Sequence, residues 1–123
     1  MRPNDGCKSM LEAVRMLQLR VPGANLTDIL TFLCVCENEG ACVKELAFFS
    51  GTSTATVSRS INYLARSPAS ESAVNHMGLF RMCSHPHDGR RGAVFLTDDG
   101  HQLKRGIELL FAALAAVPDS VTA

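Results

Sequence analysis

At 123 residues, 46% of them hydrophobic, the chain has material for one domain built on one core. Twelve basic side chains balance twelve acidic ones, so the formal net charge of zero favours no polyanionic partner and excludes none. No apolar run reaches the roughly 18–20 residues of a membrane span, and the opening MRPNDGCKSM lacks a signal peptide's apolar stretch; a soluble, cytoplasmic protein with no membrane partner is expected.

From Lys8 to Leu19, Met10, Val14 and Leu17 recur at helical spacing among Glu12, Arg15 and Gln18, which predicts a first helix. Val21, Pro22 and Gly23 break it. Asn25 or Thr27 can cap a second helix whose Ile29, Leu30, Phe32 and Leu33 predict burial, and which stops at Asn38 to Gly40. A third helix is expected over Val43 to Phe49, before the turn Ser50-Gly51-Thr52. The fourth begins after Ser53, whose hydroxyl can accept a first-turn amide, and runs through Ala65. It carries Val57, Ile61 and Leu64 on one stripe and Thr54, Thr56, Ser58, Arg59 and Asn62 on the other.

Leu79 to Cys83 and Ala93 to Leu96 read as short strands around a turn-rich loop, Ser84 to Gly92, together a β-hairpin over about residues 79–96. Thr97 caps a last helix over about 98–117, with Asp98 and Asp99 in its first turn facing the positive helix end. Leu103, Ile107, Leu110, Leu114 and Val117 form a seam along it, and Leu109 and Phe111 widen the apolar surface beyond what one small domain can cover. A second copy of the chain is the expected cover. Met10, Val14, Leu17, Leu103, Ile107, Leu110, Phe111 and Leu114 are the candidate dimerisation residues, on helices at about 8–19 and 98–117.

The five cysteines, Cys7, Cys34, Cys36, Cys42 and Cys83, are an odd set without a CxxC pair, as reduced thiols would be. Cys34 and Cys36 on one helix point about 200° apart, a poor start for a tetrahedral site, so no metal and no cofactor is expected. His85 and His87 bracket Pro86 without the partners that catalysis requires, and no enzymatic activity is expected.

Function concentrates in two segments. In the first, about residues 43–65, small Ala47 lets two helices cross closely, Gly51 can take the positive φ of a tight turn, and Val57 and Ile61 anchor the second helix. That is helix-turn-helix logic, with hydroxyls, an amide and one arginine facing outward to approach base edges and phosphates. In the second, the hairpin carries Arg90 and Arg91 at its tip, a slim basic loop able to reach an adjacent minor groove. Residues 44 to 105 also hold eight basic against five acidic side chains, a local excess of +3. The candidate DNA-binding residues are Lys44, Ser53, Thr54, Thr56, Ser58, Arg59, Asn62, His87, Asp88, Arg90 and Arg91. The expected fold is mostly α with a small β-hairpin, a winged helix-turn-helix of the α+β class whose terminal helices form a dimer interface.

Over about residues 25 to 105 the chain resembles the MarR-type (multiple antibiotic resistance) regulators. The resemblance rests on Glu45-Leu46-Ala47 through Val57-Ser58-Arg59 and Leu64, and on Asp88-Gly89-Arg90-Arg91-Gly92-Ala93-Val94-Phe95-Leu96-Thr97-Asp98-Asp99-Gly100. The latter matches the wing signature Asp-x-Arg, five residues, Leu-Thr and a following Gly. The resemblance implies that Arg90 enters a minor groove, that Asp88 orients the wing and that Ser53 to Ala65 lies in a major groove. It implies a homodimeric transcription regulator of duplex DNA, a repressor, with a small-molecule effector as a further candidate partner. Between Arg66 and Gly78 the chain is longer than that family's pattern, which is expected either to reposition the wing or to leave it flexible. The alternative function is a winged-helix interaction module, an antirepressor or adaptor that does not read DNA.

Overall fold

Why the second helix starts where it does is settled by one reciprocal cap. The Asn25 side chain accepts the Asp28 amide at 2.8 Å, and the Asp28 carboxylate accepts the Asn25 amide at 3.0 Å, so two of the helix's orphan donors are satisfied. The structure is a computed structural model that describes the backbone of residues 5–65, 78–85 and 88–116 and the side chains of residues 6–65, 78–83 and 92–112. In chain order it contains α1 (Asp5–Arg20), α2 (Leu26–Glu37), α3 (Val43–Ser50), α4 (Thr54–Ala65), β1 (Phe80–His85), β2 (Asp88–Leu96) and α5 (Asp98–Ala116). The expected segment between Arg66 and Gly78, and Val117, lie outside the described residues.

Each element sends a stripe of apolar side chains into one cluster: Leu17 from α1, Phe32 and Val35 from α2, Leu46 from α3, Ile61 and Leu64 from α4, Phe80 and Val94 from the hairpin, Leu103 from α5. Each such side chain contributes about 1.5–3 kcal/mol by leaving water. Phe32 and Phe80 stack within it, ring centroids 6.0 Å apart. Burial of α2 is narrower than its composition predicts. Phe32 is fully covered, but Leu30 and Leu33 are exposed and Ile29 is half-buried, because the face turned fully inward is that of Asp28, Thr31, Phe32, Val35 and Cys36.

Helices α1 and α5 pack against each other. Gly106 makes the approach possible, since a Cβ there would stand 2.8 Å from the Met16 sulfur. Arg20 pairs with Asp99 at 2.9 Å across the same seam. Two expected interface residues are used up by this packing. Leu17 and Leu103 are only 3% and 5% exposed and belong to the chain's own core, so neither is available to a partner. Met10 and Leu109 remain 56% and 62% exposed, and Val14, Ile107, Leu110 and Phe111 are half-buried; the Leu114 side chain lies outside the described residues.

The hairpin is longer than predicted. Ser84, His85 and Asp88 to Gly92, expected in a loop for their glycines and charges, are strand, with Phe80 opposite Leu96, Met82 opposite Val94, and a register shift between Ser84 and His85. Strand pairing is made by backbone groups, and the stretch from Ser84 to Gly92, which has no apolar residue, shows none of the alternation by which a strand is read. β2 gains a second neighbour at its base. Gly40 donates to the Val94 carbonyl at 2.8 Å and Val94 to the Ala41 carbonyl at 2.9 Å, which ties the α2–α3 linker to the hairpin. Glu39 completes the joint, accepting the Leu96 amide at 3.0 Å and lying 3.1 Å from His101 of α5.

Among the described residues no helix is long and apolar enough to cross a membrane.

Candidate nucleic-acid interface

The turn between α3 and α4 is made by Gly51, whose φ of 72° is the left-handed conformation that glycine adopts without steric cost. The Thr52 amide then closes back on the Ala47 carbonyl at 3.1 Å, and the Ser50 and Thr52 hydroxyls meet at 2.8 Å. At the start of α3, Glu45 reaches back to accept the Cys42 amide at 2.9 Å. Lys44 is exposed in the first turn of α3.

Ser53 caps α4 as its position predicts, its hydroxyl accepting the Thr56 amide at 3.1 Å. The same hydroxyl donates to the Thr56 Oγ1 at 2.9 Å, and Arg59 reaches that Oγ1 at 3.4 Å. These three side chains form one chain of polar contacts along the solvent side of α4. Thr54, Arg59 and Asn62 are exposed; Thr56 and Ser58 are half-buried, so the outward face is narrower than five alternate polar positions imply. On the opposite side Val57, Ile61 and Leu64 are buried, as their spacing requires.

One contact has no counterpart in the sequence reading. Ser60, between Arg59 and Ile61, is buried, and its hydroxyl donates to the Asp28 carboxylate at 2.6 Å across 32 residues of chain. A serine in an apolar stripe and an acid in a first turn each have a local explanation, so nothing in the sequence signals their meeting.

Beyond α4 stands the hairpin, with Leu79 donating to the Leu64 carbonyl at 2.7 Å and so joining the end of β1 to the α4 side of the fold. On β1, Arg81 lies 4.9 Å over the Phe95 ring and donates to the Cys83 sulfur at 2.9 Å. Asp88, Arg90 and Arg91 sit on β2, with their side chains outside those described; His87 lies outside the described residues altogether.

No known family's sequence profile matches the chain, and no curated protein matches it in sequence. Solved structures do match it in shape. A MarR family transcription regulator superposes with a TM-score of 0.63 at 16% identity over 93% of this chain, which spans 65% of that protein's length. The PcaV transcriptional regulator of Streptomyces coelicolor gives 0.58 at 18% identity, covering 100% of this chain and 85% of its own. A point mutant of S. aureus MepR, bound to an oligodeoxyribonucleotide, gives 0.63 at 15% identity over 95% and 81% of the two chains. The fold is the MarR-type winged helix. The segments expected as helix-turn-helix and wing correspond in this structure to α3 with α4 and to β1 with β2.

The thiols occupy the interior of this MarR-type fold or its surface singly. Cys36 and Cys42 are buried, Cys34 and Cys83 are half-buried, and Cys7 is exposed. Burial pushes the Cys36 thiol up to about 12, against a weaker downward pull from Lys104. Burial raises Cys34 as well. Among the described residues no three histidine, cysteine or acidic side chains gather to hold a metal.

Proposed function

We propose that the chain is a homodimeric, sequence-specific duplex-DNA-binding transcription regulator acting in the cytoplasm, a repressor in the simplest case. The observation that carries the reading is the split character of α4. Its buried stripe anchors it, while Ser53, Thr56 and Arg59 stand on the solvent side already linked to one another. Short hydroxyls and a guanidinium, held with little freedom left to lose, suit base edges and phosphates in a major groove. Lys44, Thr54, Ser58 and Asn62 would add phosphate and base contacts, and Asp88, Arg90 and Arg91 with His87 would serve the neighbouring minor groove. The MarR-type neighbour bound to an oligodeoxyribonucleotide supports the same reading.

Dimerisation is supported by the apolar surface left on α1 and α5, chiefly Met10 and Leu109, with Val14, Ile107, Leu110, Phe111 and Leu114 as further contacts. A small-molecule effector is supported by a cleft of about 130 Å³ between α2 and α5, lined by Leu33, Cys36, Glu37, Lys104, Ile107 and Glu108. One chain's cleft is smaller than the roughly 300–1,000 Å³ of typical ligand sites, so the effector site would be completed only in the assembled protein.

The test is a fluorescence-anisotropy titration of labelled random duplex at about 50 and 200 mM salt. Binding that weakens steeply with salt is expected, together with a loss of about tenfold on Arg59→Ala or Arg90→Ala and none on Gln102→Ala, an exposed position with no assigned role. Absence of binding at the lower salt overturns the reading. It would favour an interaction module, for which the exposed Phe48 and Phe49 pair on α3 offers an apolar contact.

A further inference from the structure

We propose that Asp28 is a positioning residue for the recognition helix: by gripping Ser60 it sets the rotation at which α4 presents Thr56 and Arg59. The proposal rests on the duplex-binding reading and names what fixes its geometry.

Apolar packing of Val57, Ile61 and Leu64 holds α4 against the core but is non-directional, so it resists separation better than it resists rotation. A hydrogen bond to a carboxylate is short and directional. The Ser60 to Asp28 bond, at 2.6 Å and buried at both ends, is such a contact. Asp28 is itself immobilised: its other oxygen accepts the Asn25 amide, and its own amide is held by the Asn25 side chain. The cap of α2 thus provides a fixed post, and Ser60 is the point at which α4 is fastened to it.

The lever is short. On a helix about 10–12 Å across, a rotation of about 20° moves side-chain tips by about 2 Å, which is enough to break a hydrogen bond at its far end. Arg59 neighbours Ser60 directly and Thr56 lies one turn before it, so both share any rotation that the bond restrains. Loss of the bond would leave α4 folded and packed while its outward groups were misplaced. Discrimination between duplexes would then suffer more than attraction to phosphate, which depends on charge more than on angle.

The experiment compares the parent chain with Ser60→Ala, Ser60→Thr and Val35→Ala, the last a core truncation on α2 that leaves the bond intact. Two quantities are read: the ratio of affinities for a duplex selected by the parent from a random pool and for unselected duplex, and hydrogen–deuterium exchange of α4 amides in the free protein. Ser60→Ala is expected to lower the ratio about tenfold and to speed exchange across α4, while Ser60→Thr, which keeps the hydroxyl, retains both parental values. Val35→Ala is expected to lower the melting temperature and leave the ratio unchanged. Parental ratio and exchange in Ser60→Ala, or an equal fall of the ratio in Val35→Ala, overturns the proposal. If the parent selects no duplex, the duplex-binding reading fails separately, and unchanged α4 exchange in Ser60→Ala overturns the positioning role.

Discussion

The Thr31 hydroxyl on α2 is buried and has no hydrogen-bond partner among the described residues. A buried hydroxyl without a partner costs about 1–3 kcal/mol, and valine has nearly its shape, so Thr31→Val is expected to raise stability by about 1 kcal/mol in a urea titration. Ser53 is the opposite case. Its hydroxyl satisfies a first-turn amide of α4, and Ser53→Ala should lower stability by about 1 kcal/mol on the same assay. Cys36 gives a pH prediction of definite sign. Its folded thiol stays protonated up to about 12, whereas an ordinary thiol of value 9.0 ionises earlier, so the unfolded chain releases a proton first. Stability is therefore complete below about 9 and falls between 9 and 12, and Cys36→Ala should flatten that part of the thermal-melting profile. Ser53 was readable from its place before a helical run, whereas Thr31 and Cys36 were not, because a lone polar atom's partner is a matter of tertiary distance.

Among the elements, the turn and the ribbon show what periodicity can and cannot deliver. Gly51 announces itself, since a glycine between two amphipathic stretches invites a left-handed turn, and its φ of 72° follows. Gly51→Val should cost about 1–2 kcal/mol through backbone strain alone, because open space surrounds the missing Cβ; a lowered melting temperature with little change in the cores of α3 and α4 by hydrogen exchange would register it. The helices were legible to within a few residues at their ends, and the Thr97 cap of α5 was found, its hydroxyl accepting the Gly100 amide at 3.1 Å. The ribbon was legible only at its base. Toward its tip the run from Ser84 to Gly92 contains no apolar residue, so it lacks the alternating signature by which a strand is read. The link from Gly40 and Ala41 to Val94 escaped for a related reason: it is made by backbone atoms, which carry no residue code.

For the whole molecule, the terminal helices carry the apolar surface on which the proposed dimer depends. Their mutual packing consumes Leu17 and Leu103, a distinction invisible in a heptad count, because the same seam can face its own chain or another. The surface that remains is smaller than the sequence implied, yet Leu109 and Met10 still lie largely uncovered. Placing a charge there, as Leu109→Glu, should shift the chain from dimer to monomer in sedimentation equilibrium while leaving its melting curve cooperative. Affinity for duplex would fall with it, since a dimer engages two half-sites at once and a monomer one.

The joint between the α2–α3 linker and the base of the hairpin has a mechanical consequence for that engagement. With Gly40, Ala41 and Glu39 bonded to β2, the foot of the ribbon is fixed to the linker that leads into α3, like the pivot of a caliper. In the proposed duplex-binding role such a tool would gauge the separation of neighbouring grooves, so that within each half-site a stretched or compressed duplex would be rejected before any base was inspected.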